Sequence, residues 1–324
     1  MGFAASAPRY DFNSIVQSIN IWSSRADAAI ISIEVPWDSL LNGESVSTYI
    51  VNNFLGLVQY YRQKNFRLWI YIDPENGLNR VSDADALVKR GKSIADPAIQ
   101  DLYIRFVVQM DSLLRPDHLG LALETNLIRG TASNLIYQGI KSASNAAAIA
   151  IRKFDKTIPL SISVQVDYAW GKISGQPYIG IENDLSDFPF IQELGLSSYP
   201  YFNFNSPDEI PENYYARLVE GKNLPVMVTE GGWTSAQIPA PNGGSINGSP
   251  ALQRNYIDRQ ALLLTAAKST AWFQLAFTDI DVSALPPSTS SNIKYFTSIG
   301  LVDIQLQPKP ALASWDGIFK RIIK

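Results

Sequence analysis

The chain has 324 residues, 46% of them apolar and 18% charged, with 27 Lys plus Arg set against 30 Asp plus Glu. That composition belongs to a globular protein with a sizeable core. The near balance of charge and the lack of a Lys/Arg-rich block argue against nucleic acid or an anionic membrane as partner, and no apolar run is long enough for a membrane span. Cysteine is absent and histidine occurs once, as His118, which excludes disulfides, thiolate catalysis, zinc–sulfur sites and polyhistidine metal centres.

Short apolar strands alternate with helical segments from end to end. MGFAA forms the first strand candidate, with neither the basic n-region nor the apolar core of a signal peptide in the opening residues. A helix near FNSIVQSINIW follows, then the buried-strand run AAIISIEVPW ending on Glu34. Helical spacing is predicted over 46–63, and FRLWIYIDPENG is the third strand, ending on Asp73. In the next helix Asp96 stands at the N-cap and Pro97 in the first turn. HLGLALETN is the fourth strand, ending on Glu124; an Ala-rich helix covers roughly 133–153.

PLSISVQVDYAW and LGLSSYPYF are strands five and six, and a helix is predicted over 210–220. LPVMVTEGGW is strand seven, after which a helix capped by Ser249 carries Pro250 in its first turn. AWFQLAFTDID is strand eight, and a helix near LASWDGIFKRII closes the chain. Strict alternation with crossover helices implies parallel strands. Eight such units predict a single-domain α/β protein, a (β/α)8 TIM barrel spanning residues 1–324. The rival, an open doubly wound sheet, lacks its usual glycine-rich phosphate turn.

Alternate residues of a strand share a face. Gly120, Ala122 and Glu124 fall together, as do Val226, Val228 and Glu230; Ile30, Ser32 and Glu34; Trp69, Tyr71 and Asp73; Ser161, Ser163, Gln165 and Asp167; and Gly195, Ser197 and Tyr199. The polar ends of most strands are thereby expected at the carboxyl-terminal mouth, where barrels keep their active sites. Trp37, Trp170, Trp233 and Tyr201 are candidate stacking platforms for sugar rings, and Trp69, Trp272 and Trp315 are expected in the core. The long segment 231–249 is expected to shape a cleft. His118, before strand four, is expected to be a capping or surface residue, and the Gly231-Gly232 pair to permit a sharp turn.

With these residues in place, the sequence resembles the retaining glycosidases of the (β/α)8 clan A. In those enzymes a general acid/base Glu follows strand four and a nucleophile Glu follows strand seven; Glu124 in LALETN and Glu230 in VTEGGW stand at these places. TEGGWTS is similar to the nucleophile segment of β-1,3-glucanases. GLSSYPYF resembles the strand-six segment of endo-β-1,4-galactanases, whose tyrosine holds the nucleophile; Tyr199 is the matching position. GLVDIQLQPKPALASW is similar to the closing segment of several clan members. One departure is plain: the asparagine that usually precedes the strand-four Glu and contacts the sugar 2-hydroxyl is replaced by Leu123, with Asn126 two residues after the Glu.

The resemblance implies hydrolysis of a β-linked polysaccharide or oligosaccharide, with endo action expected, Glu124 as acid/base, Glu230 as nucleophile and Tyr199 orienting it. Carboxyl groups about 5–5.5 Å apart would give retention, and their mutual repulsion would leave one protonated. Substrate contacts are expected from Glu34, Trp37, Asp73, Asn126, Gln165, Asp167, Trp170, Tyr201 and Trp233, with no cofactor and no metal. A monomer acting outside the cytoplasm, at the cell surface or in a periplasm, fits a polymeric substrate. Two other readings remain: a catalytically silent barrel that binds carbohydrate, and a barrel whose acidic ring holds Mg²⁺.

Overall fold

The computed structural model describes residues 1–9, 11–241, 243–287 and 289–321. Among them, eight parallel strands form the main sheet. They are β1 (Gly2–Ala4), β2 (Ala28–Glu34), β3 (Arg67–Asp73), β4 (His118–Gly120), β5 (Leu160–Gln165), β6 (Glu193–Ser198), β7 (Val226–Gly231) and β8 (Ala271–Gln274). The hydrogen-bonded order β1-β8-β7-β6-β5-β4-β3-β2 closes into a barrel, as the alternation of strand and helix predicts. The chain divides into two compact units, one made of Met1–Ala29 with Leu196–Lys324, the other of Ile30–Gly195.

In the unit Ile30–Gly195, β3 pairs with β4 at Trp69 and His118, and β4 with β5 at Leu119 and Leu160. Leu68 through Asp73 are all buried, because both faces of a parallel barrel strand are covered. Gly120 is a glycine for a steric reason: a Cβ there would lie 2.2 Å from the Tyr71 ring. Tyr71 crosses over it and accepts a hydrogen bond from the Ser161 hydroxyl at 2.7 Å. One large side chain over one absent side chain fills that layer of the interior without a void. Outside the sheet, helix Pro97–Leu114 packs on helix Asn134–Ile151.

Three expectations need correction in this unit. Pro97 does stand in the first turn of its helix, but the Asp96 side chain does not cap it; its Oδ2 accepts the Ser93 N–H at 2.9 Å instead. The predicted helix over 46–63 is interrupted by a wide turn, Val51–Leu55, where the Asn53 amide donates to the Tyr49 carbonyl at 2.8 Å; a short polar side chain competing for a helix carbonyl favours such a defect. Strand four pairs as a regular ladder only through Gly120, and a helix, Thr125–Thr131, begins directly after Glu124.

In the other unit, β1 pairs with β8 at Gly2 and Phe273, and β8 with β7 at Ala271 and Met227. Phe3 sits among Trp22, Trp315 and Phe277 with ring centroids 5.5, 4.5 and 5.1 Å away. Trp69, Trp272 and Trp315 are all buried in their units. Helix Pro250–Ala266 begins as predicted, with the Ser249 hydroxyl accepting the Leu252 N–H at 3.2 Å. The helix predicted over 210–220 is instead a single 3-10 turn, Ala216–Val219. Tyr214 and Tyr215 are both fully buried; an α-helix would point such neighbours about 100° apart, so an irregular path serves their burial better. Segment 231–249 carries a small antiparallel ribbon, Ile238–Pro239 with Ser245–Ile246.

Candidate active site

The unit Ile30–Gly195 gathers its charged side chains beyond the carboxyl ends of β2, β3 and β4. Arg80, from the loop after β3, is the hinge of the group. Its Nη1 donates to Asp73 Oδ2 at 2.6 Å and its Nε to Glu124 Oε2 at 2.9 Å. All three side chains are less than 10% exposed. One guanidinium therefore fixes two carboxylates in a site where water does little screening. Burial raises the Asp73 carboxyl to about 6, with the Arg80 charge pulling the other way. Glu34, exposed at the end of β2, accepts the Gly77 N–H at 2.9 Å. A Cβ at Gly77 would stand 3.6 Å from Glu34 Oε1 and 3.8 Å from Asp73 Oδ2, so this loop passes between the two carboxylates.

Glu124 has an unusual backbone. Its φ of 48° and ψ of 41° lie in the left-handed region, which costs a residue with a side chain on the order of 1 kcal/mol. The surroundings enforce it. The Glu124 N–H donates to the Ser163 hydroxyl at 2.9 Å, while the helix that starts at Thr125 is anchored through Asp184, which takes the Thr125 hydroxyl at 3.0 Å and Arg129 at 2.8 Å. The chain thus leaves β4, turns sharply at Glu124 and enters a tethered helix. Strained backbone held in this way is a mark of functional sites.

Asn126 has its amide engaged inside the fold. Its Nδ2 donates to the Gln165 carbonyl at 2.9 Å and its Oδ1 accepts the Gln165 N–H at 2.8 Å. This two-point clamp ties the new helix to the end of β5. Gln165 in turn accepts the Tyr168 N–H on its side-chain oxygen at 2.6 Å, capping a short helix that contains the buried Asp167. Trp170 is half-buried, edge-on to Tyr178 at 5.5 Å. Trp37 is 2% exposed with its indole N–H on the Pro74 carbonyl at 3.0 Å; it is a fixed wall with little ring face open for stacking.

The unit containing Leu196–Lys324 holds the other candidates. Glu230 is half-buried near the end of β7. Neither Gly231 nor Gly232 adopts a left-handed conformation, so the pair does not make the sharp turn expected of it. Close approach explains both: a Cβ on Gly231 would lie 2.5 Å from the Ser198 carbonyl oxygen, and one on Gly232 2.9 Å from the Gln274 amide. Tyr199 is buried edge-on to Phe296 at 5.0 Å. Tyr201 is buried with its hydroxyl on the Tyr295 carbonyl at 3.0 Å, and Trp233 is fully buried against Tyr256 at 5.6 Å. These two rings therefore serve packing in the structure, in contrast to the stacking surfaces expected.

His118 sits at the opposite end of β4, half-buried, with Nδ1 on Glu193 at 2.8 Å, Nε2 beside Arg67 at 2.9 Å and its ring stacked on Trp69 at 3.9 Å. Since the Arg67 guanidinium can only donate, Nε2 accepts and Nδ1 carries the proton to Glu193. Among the described residues no group of three or more carboxylate or histidine side chains is arranged to hold a metal ion, and no helix is long and apolar enough to cross a membrane.

No family model and no curated protein matches the sequence. Solved structures do match the fold. An exo-β-1,4-mannosidase from Opitutaceae bacterium strain TAV5 aligns with a TM-score of 0.70 at 14% identity, covering 98% of this chain and 58% of that one. An apo β-glucosidase aligns with a TM-score of 0.67 at 14% identity, covering 95% and 87%. The GH53 catalytic domain of Ignisphaera aggregans gives 0.64 at 15% identity, covering 100% and 96%. At such identities the likeness is one of fold.

Proposed function

We propose that the chain is a retaining glycoside hydrolase acting on β-linked glycans, with Glu124 as acid/base and Glu230 as nucleophile. The observation that carries this reading is Glu124 itself: a glutamate just past the fourth barrel strand, held in a strained backbone and oriented by a buried arginine. A second glutamate near the end of the seventh strand and a fold shared with several glycosidases support it. Glu230 would attack the anomeric carbon while Glu124 protonates the departing oxygen, breaking the glycosidic bond and forming a glycosyl ester on Glu230. Glu124, now ionised, would take a proton from water as that water displaces Glu230.

Release of reducing ends from a panel of galactan, β-glucans, mannan and xylan tests the reading. Activity on at least one polymer, falling about a thousandfold or more in Glu230→Gln, is expected. Unchanged trace activity in the variant would favour a barrel that binds carbohydrate without cleaving it. One observation speaks for that second reading: Leu123 is buried and the Asn126 amide is held by Gln165, so neither offers the usual contact to a sugar 2-hydroxyl.

A further inference from the structure

Glu230 is flanked by two ties to β6. Before it, the Thr229 hydroxyl donates to the Leu196 carbonyl at 3.3 Å; after it, the Gly232 N–H donates to the Ser198 carbonyl at 3.3 Å. Gly231 passes so near that a Cβ on it would lie 2.5 Å from the Ser198 carbonyl oxygen. The peptide that carries Glu230 therefore lies where the end of β6 places it. Ser198, the last residue of β6, is itself held by side chains from beyond the sheet. Its hydroxyl stands 2.7 Å from the Tyr215 hydroxyl, which donates to Gln260 Oε1 at 2.7 Å. A tyrosine has a single hydroxyl proton, and here Gln260 takes it, so Ser198 is the donor to Tyr215. Gln260 belongs to helix Pro250–Ala266, so this chain of bonds pins the tip of a strand to a long helix.

Ser198, Tyr215 and Gln260 are all fully buried. Leu196 shares a strand face with Ser198 and is apolar and buried; an apolar residue at 198 would pack there with no partner to find. The Tyr215 ring already packs on Tyr214 at 5.2 Å, a contact that a phenylalanine would keep. The hydroxyl adds only its bonds to Ser198 and Gln260. Buried polar chains of this kind hold one arrangement of the backbone against its alternatives.

We propose that Tyr215 is a positioning residue for Glu230, acting through Ser198: its hydroxyl fixes the end of β6, and the end of β6 fixes the peptide on which Glu230 stands. The inference deepens the reading of Glu230 as nucleophile and rests on it, but its primary test is made on the Glu230 carboxyl itself, without turnover.

Carbon-13 NMR titration of the full chain, labelled at its glutamate carboxyls, tests the proposal, with the Glu230 resonance identified by its loss in Glu230→Gln. Tyr215→Phe should move the Glu230 midpoint by about half a pH unit or more. Ser249→Ala removes the cap of the same helix that carries Gln260, destabilises the chain without touching Ser198 or Tyr215, and should leave the midpoint in place. Ser198→Ala should reproduce Tyr215→Phe, and the two combined should move the midpoint no further than either alone. If Tyr215→Phe does not fold, Gln260→Met, which removes only the far acceptor, should move the midpoint in its place. On whichever glycan the wild-type chain cleaves, Tyr215→Phe should lower kcat about tenfold with KM held within about twofold. A Glu230 midpoint unmoved in the folded variants, an equal displacement in Ser249→Ala, or shifts that add in the combined variant would overturn the proposal. A midpoint that moves in a chain cleaving no glycan upholds the positioning and overturns the hydrolase, whereas cleavage with an unmoved midpoint overturns the positioning alone.

Discussion

Arg80 spans Asp73 and Glu124 with the two edges of one planar guanidinium, a geometry a lysine ammonium cannot reproduce. Replacing it with alanine strands two buried carboxylates, which costs about 3–5 kcal/mol in comparable pairs, so Arg80→Ala should show a large drop in denaturation midpoint. Arg80→Lys should fold and lower kcat more than it raises KM on whichever glycan is cleaved, because the charge stays while the orientation of Glu124 is lost; a raised KM with kcat unchanged would mean that Arg80 serves binding alone. Burial pushes the Glu75 carboxyl up to about 9, which sets a second test. From about 4.5 to about 9 the folded chain holds a proton that the unfolded chain has released, so this group lowers stability as pH rises, by up to about 1.4 kcal/mol per pH unit. Thermal melts of Glu75→Gln should therefore gain on wild type between pH 5 and pH 8; a constant gap would show that Glu75 does not titrate in that window. Glu124 is legible from the sequence because it ends an apolar strand run. Arg80 and Glu75 are not, since PENGLNRVSD reads as an ordinary polar loop and only the fold folds it back over the strand ends.

At the scale of elements, local chemistry decides where the sequence can be read. Helix Pro250–Ala266 is legible because Ser249 and Pro250 act only on their own first turn. Asp96 misleads because an equally local N–H, that of Ser93, captures its carboxylate. The segment 121–124 misleads for a tertiary reason. Alternation places Glu124 on a strand face, yet Asp184 and Gln165 anchor the following helix so firmly that the chain must turn at Glu124. The register of the neighbouring strands depends on a missing side chain: in Gly120→Ala the new methyl would drive into the Tyr71 ring. Overpacking of that kind costs about 1–3 kcal/mol, and the Tyr71–Ser161 hydrogen bond should weaken with it. A melting curve superimposable on wild type would show that the layer has room the structure does not display.

At the scale of the whole molecule, the repeated alternation of apolar strand and amphipathic helix is legible because it is redundant: eight units carry the same signal, and losing the helix over 210–220 does not disturb the count. Function has no such redundancy. The proposed hydrolysis asks for two single residues, Glu124 as acid/base and Glu230 as nucleophile. That claim is tested most directly by proton NMR of the anomer first released from a cleaved polysaccharide, recorded before mutarotation. The account predicts the β-anomer first; the α-anomer first would mean a single inverting displacement and would contradict it.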